Sequence, residues 1–104
     1  MPLNKGQKMD DPKFTSKRTV VTAGVSHRMQ ADPVFGDLVN VSISRHFSGD
    51  WGDLGEEDQG MNNAALASGD DRIFCAYECE GHPKIWIITE HDRSVTTVLF
   101  PSEY

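Results

Sequence analysis

The chain has 104 residues, 38% of them hydrophobic and 25% charged, a length that suits one small domain and excludes two. Ten Lys and Arg stand against sixteen Asp and Glu, a formal net charge of -6; duplex affinity comes largely from Lys and Arg neutralising phosphates, so direct nucleic-acid binding is not expected. No apolar run approaches the roughly 20 residues that cross a bilayer, and the polar N-terminus lacks the apolar segment of a secretory signal, so the expected location is the cytoplasm, away from membranes.

Charge divides the chain. Residues 1–18 carry Lys5, Lys8, Lys13, Lys17 and Arg18 against Asp10 and Asp11, a net of +3, while the remainder carries a net of -9. The first stretch offers only Leu3, Met9 and Phe14 for burial after Met1. Such composition does not offset the entropy of ordering, so residues 1–17 are expected to form a mobile basic tail before a single domain over residues 18–104.

Thr19 to Thr22 is β-branched and reads as a short strand. Thr22 can cap a brief helix through Gln30, which Gly24 weakens. Asp32-Pro33 pairs a capping carboxylate with proline at the first helical position. Beyond it the pattern is ambiguous. Val39, Val41 and Ile43 alternate with polar residues as in a strand, whereas Phe35, Leu38, Val39, Ser42, Ile43 and His46 recur at helical spacing. The start signal favours a helix over 33–46. Glycine-rich 48–53 reads as a loop. Glu56, Glu57 and Asp58 then suit the first turn of a helix over Glu56–Ser68 that Gly69 ends, with Met61, Ala64, Ala65 and Leu66 as its buried stripe.

Arg72–Cys79, Lys84–Thr89 and Val95–Phe100 are β-branched or aromatic runs joined by connectors short enough for hairpins. The expected fold is α+β: a small antiparallel meander of three to four strands packed against two or three helices. Trp86, flanked by Ile85, Ile87 and Ile88, reads as core in a strand covered on both faces. Cys75 and Cys79 on one strand would stand about 13 Å apart, too far for a disulfide, which needs α-carbons within about 7 Å. Free thiols and a reducing compartment are expected. His82 completes Cys-x3-Cys-x2-His, yet no fourth ligand follows at zinc-site spacing.

Two clusters carry possible chemistry. His46, Asp50, Asp53 and Asp58 lie within thirteen residues, and imidazole with carboxylates is the usual stuff of metal sites and general bases. Their spacing matches no metal motif. The preferred reading has Asp50 bonding loop amides, Trp51 anchoring the loop in the core, and Asp53 and Asp58 solvated or serving the helix start. In the second cluster, Glu90, Asp92 and Arg93 crowd one turn, where an internal ion pair is preferred to a partner contact. Thr96 and Thr97 point to opposite sides of their strand, so only one can face a site. No catalytic serine elbow or Cys-His nucleophile signature is present.

Thr22-Ala23-Gly24-Val25, Arg45-His46, Gly49-Asp50-Trp51-Gly52-Asp53-Leu54, Glu57-Asp58, Asn62, Ala76-Tyr77 and Ile85-Trp86-Ile87-Ile88-Thr89-Glu90 recur together in a family this chain resembles. Asp92-Arg93-Ser94, Thr96-Thr97-Val98-Leu99-Phe100-Pro101 and Ser102-Glu103-Tyr104 extend the likeness, which runs from Thr22 to the C-terminus. The family is that of small plasmid-related proteins of bacterial mobile elements, some labelled type I restriction enzyme subunit M. Its members usually carry Glu where this chain has Asn63, and Ala where it has His91. A methyltransferase subunit needs a cofactor-binding α/β domain larger than this chain, so that label does not fit.

The resemblance implies a genetic setting rather than a chemistry. With the acidity it leads to the expectation of a non-catalytic binding protein that inhibits or modulates a bacterial nucleic-acid defence machine, of anti-CRISPR or anti-restriction type. Five acids among the nine residues Asp50–Asp58 would occupy a basic groove evolved for phosphate, in a nuclease, Cas or restriction complex, by protein contact or DNA mimicry. The expected contact residues are Asp50, Trp51, Asp53, Glu56, Glu57, Asp58, Glu90, Asp92 and Arg93, with no catalytic residue, metal or cofactor. The alternatives are a small metal-dependent enzyme or module using His46, Asp50 and Asp53, and an accessory partner that stabilises another element-encoded protein.

Overall fold

The computed structural model describes residues 12–104. Its elements run β1 (Arg18–Val21), α1 (Ala23–Ala31), α2 (Pro33–Phe47), α3 (Glu56–Ser68), β2 (Ile73–Tyr77), β3 (Ile85–Thr89) and β4 (Val95–Leu99), closed by a short turn of 3-10 helix at Pro101–Glu103. The start and stop signals act as read. The Thr22 hydroxyl accepts from Val25 N–H, the Asp32 carboxylate accepts from Phe35 N–H, and Gly69 ends α3 at φ 78°. Gly24 has a spatial reason: a β-carbon there would strike the Glu103 carboxylate. That carboxylate accepts from the Thr22 hydroxyl and from Phe100 N–H, both at 2.8 Å, and so fastens the C-terminal turn to the start of α1.

The ambiguous stretch is helical. Its buried side is Phe35, Val39, Ser42 and His46, while Val41, inward in a strand reading, is 55% exposed. Burying a side chain such as Phe35 or Val39 contributes about 1.5–3 kcal/mol, and only the helical period gives α2 a continuous inward stripe. Those residues join Val25 of α1, Trp51 and Ala65 of α3 over Ile73, Cys75, Tyr77, Ile85, Ile87 and Val98.

The sheet order is β1-β4-β3-β2. β2, β3 and β4 form the expected antiparallel meander, but β1 pairs with β4 in parallel. Hairpins force antiparallel neighbours, whereas β1 and β4 are separated by all the other elements, and such a crossover permits parallel pairing. All three helices share in the core on one sheet face. Trp86 itself is half-buried, lying edge-on between Phe74 at 5.1 Å and Tyr104 at 5.6 Å on the other face, while its neighbours on that face, Ala76, Ile88 and Leu99, are buried.

Two further expectations are corrected. On α3 the inward residues are Asn62 and Ala65, with Leu66 partly buried; Met61 is 65% exposed and Ala64 faces solvent. Asn62 turns inward because β2 has unpaired outward groups there: its amide donates to Phe74 C=O at 2.6 Å and accepts from Phe74 N–H at 3.1 Å. The second concerns the N-terminal arm. Lys13 N–H donates to Phe47 C=O at 2.7 Å and Lys17 N–H to Arg93 C=O at 3.0 Å. The Phe14 ring packs edge-on against His46 and Phe47 at 5.3 and 5.2 Å. Residues 12–17 are thus bound to the domain, because Phe14 covers an aromatic gap that the helices leave; the rest of the expected tail, residues 1–11, lies outside the described residues. Among the described residues no helix is long and apolar enough to cross a membrane.

Candidate functional site

The loop after α2 positions the first cluster. Arg45 grips Asp50 with Nε–Oδ2 at 2.7 Å and Nη2–Oδ1 at 3.1 Å, and its guanidinium lies 4.8 Å from the Tyr77 ring centre. The pairing holds the Asp50 carboxyl below the usual carboxylate range and raises Arg45. Asp50 Oδ1 also accepts from Gly52 N–H, and Asp50 C=O accepts from the Tyr77 hydroxyl at 2.7 Å. Trp51 is buried and donates its indole N–H to Asn63 Oδ1 at 2.8 Å. Asp53 takes Glu78 N–H on its carboxylate at 2.8 Å and gives its own N–H to Ala76 C=O at 2.8 Å. Asp50 and Asp53 are thus tied to Arg45 and to backbone, while Glu56, Glu57 and Asp58 stand exposed in the first turn of α3.

The second cluster does not form the expected ion pair. Arg93 adopts φ 60° and sends Nη1 to the carbonyls of Asp71, Glu90 and His91 and Nη2 to that of Ala65. Its guanidinium lies 5.8 Å from the Phe14 ring centre. Carbonyls win because Ala65 belongs to the last turn of α3, where the negative end of the helix dipole attracts a cation even though its C=O already accepts Gly69 N–H at 2.9 Å. Asp92 accepts from Ser94 N–H. Arg93 is therefore a clamp joining α3, two turns and the arm.

His46 separates from the carboxylates altogether. It is fully buried, with Nδ1 2.9 Å from Cys75 Sγ and Nε2 2.8 Å from Thr89 Oγ1. Thr89 Oγ1 meets Thr96 Oγ1 at 2.7 Å, Thr96 meets Ser16 Oγ at 2.8 Å, and Ser16 donates to Arg18 C=O at 2.8 Å. Each hydroxyl has one proton, so the terminal carbonyl fixes the order. Ser16 donates to Arg18, Thr96 to Ser16, Thr89 to Thr96 and His46 Nε2–H to Thr89, which leaves Nδ1 to accept the Cys75 S–H. Among the described residues no group of three or more His, Cys, Asp or Glu is placed to hold a metal ion. Both imidazole nitrogens are taken by Cys75 and Thr89, so His46, Asp50 and Asp53 are not gathered into a ligand set among the described residues.

Burial pushes the His46 imidazole down to about 3, helped by Arg93, and pushes the Cys75 thiol up to about 12. The pair is therefore neutral thiol and neutral imidazole, the opposite of an activated nucleophile. A pH dependence follows. Below the ordinary histidine value of 6.5 the unfolded chain takes up a proton that native His46 refuses until about pH 3. Stability from this group is complete above about pH 6.5 and falls as pH drops towards 3, by at most about 1.4 kcal/mol per pH unit. Urea unfolding at about pH 7 and about pH 4 checks this: a native state as stable at the lower pH contradicts it.

Cysteine–histidine pairing, the Asn62 amide and the covering Phe14 were not visible in the sequence, because each joins residues distant along the chain. The signal that existed was polar: His46 continues the inward stripe of Phe35, Val39 and Ser42, so it had to find buried partners. No protein-family model, curated protein or solved structure matches this chain.

Proposed function

We propose that this chain is a non-catalytic acidic binding protein whose exposed carboxylates engage the basic groove of a nucleic-acid-handling protein of bacterial defence, a nuclease, Cas or restriction complex. The observation that carries the reading is the state of the acids around α3. Glu56, Glu57 and Asp58 open the helix and Asp70 and Asp71 follow it, all exposed and none in an ion pair among the described residues. Asp58 and Asp71 line one groove beside Met61 and Phe74. Arg72, also on that groove, is turned to Tyr104, donating to its hydroxyl at 2.9 Å. The proposal centres the surface on the two ends of α3, because Asp50 is paired with Arg45, Trp51 is buried and Arg93 is bound to carbonyls. The resemblance to mobile-element proteins supports the class of partner.

The test uses DNA cleavage by a panel of bacterial nucleases, Cas and restriction complexes. The wild-type chain should inhibit at least one, with inhibition weakening as salt rises. Changing Glu56 and Glu57 to Gln and Asp58, Asp70 and Asp71 to Asn should weaken that inhibition by at least about tenfold, equivalent to about 1.4 kcal/mol. Equal inhibition by the neutralised chain, or none by the wild type, refutes the proposal.

A further inference from the structure

Between α2 and the β2–β3 turn lies a cavity of about 140 Å³. Its walls include Phe35, Leu38, Val39 and Ile85, and Ser42 and His82 line it as well. Ser42 is 7% exposed, and its hydroxyl has no hydrogen-bond partner among the described residues, although a helical serine commonly returns its proton to the carbonyl four residues back. His82 lies stacked on Phe35, with ring centres 6.2 Å apart. Its Nδ1 is buried without a hydrogen bond, and Asp32 Oδ2 at 3.6 Å is beyond bonding reach. A partly open, mostly apolar pocket thus presents the Ser42 hydroxyl, beside a His82 nitrogen that is buried with its bonding capacity unused, where buried polar groups are ordinarily satisfied.

Size, lining and charge define the ligand. An apolar cavity of about 150 Å³ accommodates a benzene ring. A charged ligand would lose its hydration against these walls. The one cation on the lining, Arg45, is held by Asp50, and Asp32 stands beside His82 to repel anions. We propose that the cavity binds a neutral single-ring aromatic molecule bearing one hydroxyl group. The ring sits between Phe35, Leu38, Val39 and Ile85, and the hydroxyl bonds to Ser42. This is independent of the acidic surface, which lies on α3. The exposed thiol of Cys79, also on the lining, is a reporter, with buried Cys75 as its unreactive control.

Phenol, toluene and benzoate are titrated into the full chain while methyl resonances are followed by NMR and Cys79 is labelled with a thiol reagent. Phenol should give saturable shifts confined to Leu38, Val39 and Ile85 and slow Cys79 labelling several-fold. Toluene should bind more weakly, and benzoate should leave both readouts unchanged. Ser42→Ala should weaken phenol about tenfold and leave toluene unaffected. Leu38→Trp, which fills the chamber from a half-buried position, should abolish both. The absence of saturable phenol shifts, shifts centred elsewhere, benzoate binding as well as phenol, or an equal loss of phenol and toluene in Ser42→Ala would each overturn the assignment.

Discussion

Gly52→Ala should destabilise the fold by about 3–5 kcal/mol, whereas Gly69→Ala should cost only about 1 kcal/mol. The two glycines share one backbone conformation, φ 77° and 78°, so the left-handed penalty is common to both. They differ in surroundings. A β-carbon at Gly69 meets nothing within 4 Å, while one at Gly52 strikes the Ala76 carbonyl and the Tyr77 ring. Neither neighbour can retreat cheaply. The Ala76 carbonyl accepts Asp53 N–H at 2.8 Å, and Tyr77 is 3% exposed with its hydroxyl bonded to Asp50 C=O. Moving the loop would release both bonds and lift Trp51 from the core. Urea midpoints of the two variants measure the steric part by subtraction. A difference below about 1 kcal/mol would show that the loop gives way freely.

His46→Ala should cost about 3–5 kcal/mol, a large share of the roughly 5–15 kcal/mol by which a domain is stable. The substitution opens a cavity and strips Cys75 and Thr89 of their partners. The loss is expected to be asymmetric, because an orphaned buried group is worse than no polar group. His46→Phe combined with Thr89→Val keeps the volume apolar and removes both ends of the central bond. It should recover more than half of the deficit and flatten the stability profile between about pH 6.5 and about pH 3. Unfolding curves at two pH values decide the matter; if the double variant is as unstable as His46→Ala, the hydrogen-bond account fails.

Local chemistry was legible and long-range chemistry was not. Thr22, Asp32-Pro33 and Gly69 each carry a cap in two or three adjacent residues, and they marked helix boundaries correctly. The meander was readable because hairpin connectors sit between its strands. The parallel partner of β1 was not, since its pairing with β4 depends on everything between them. Met61 misled for a related reason: it is the more hydrophobic choice for the α3 interior, but Asn62 supplies the bonds that β2 requires. Arg93 likewise chose helix-end carbonyls over carboxylates one and three residues away. Among the candidate contact residues, the sequence showed where charge accumulates, and only the fold separated Asp50 and Asp53, already engaged, from the free acids of α3.

The Asn62 amide reproduces what a fifth strand would offer at Phe74, and Asp53 does the same at Ala76 and Glu78. Open sheet flanks are templates for uncontrolled stacking of one molecule on the next. On the β2 side this chain has filled the template with its own helix and loop, so the backbone groups at Phe74, Ala76 and Glu78 are closed to an added strand, and a visitor there meets side chains rather than free backbone.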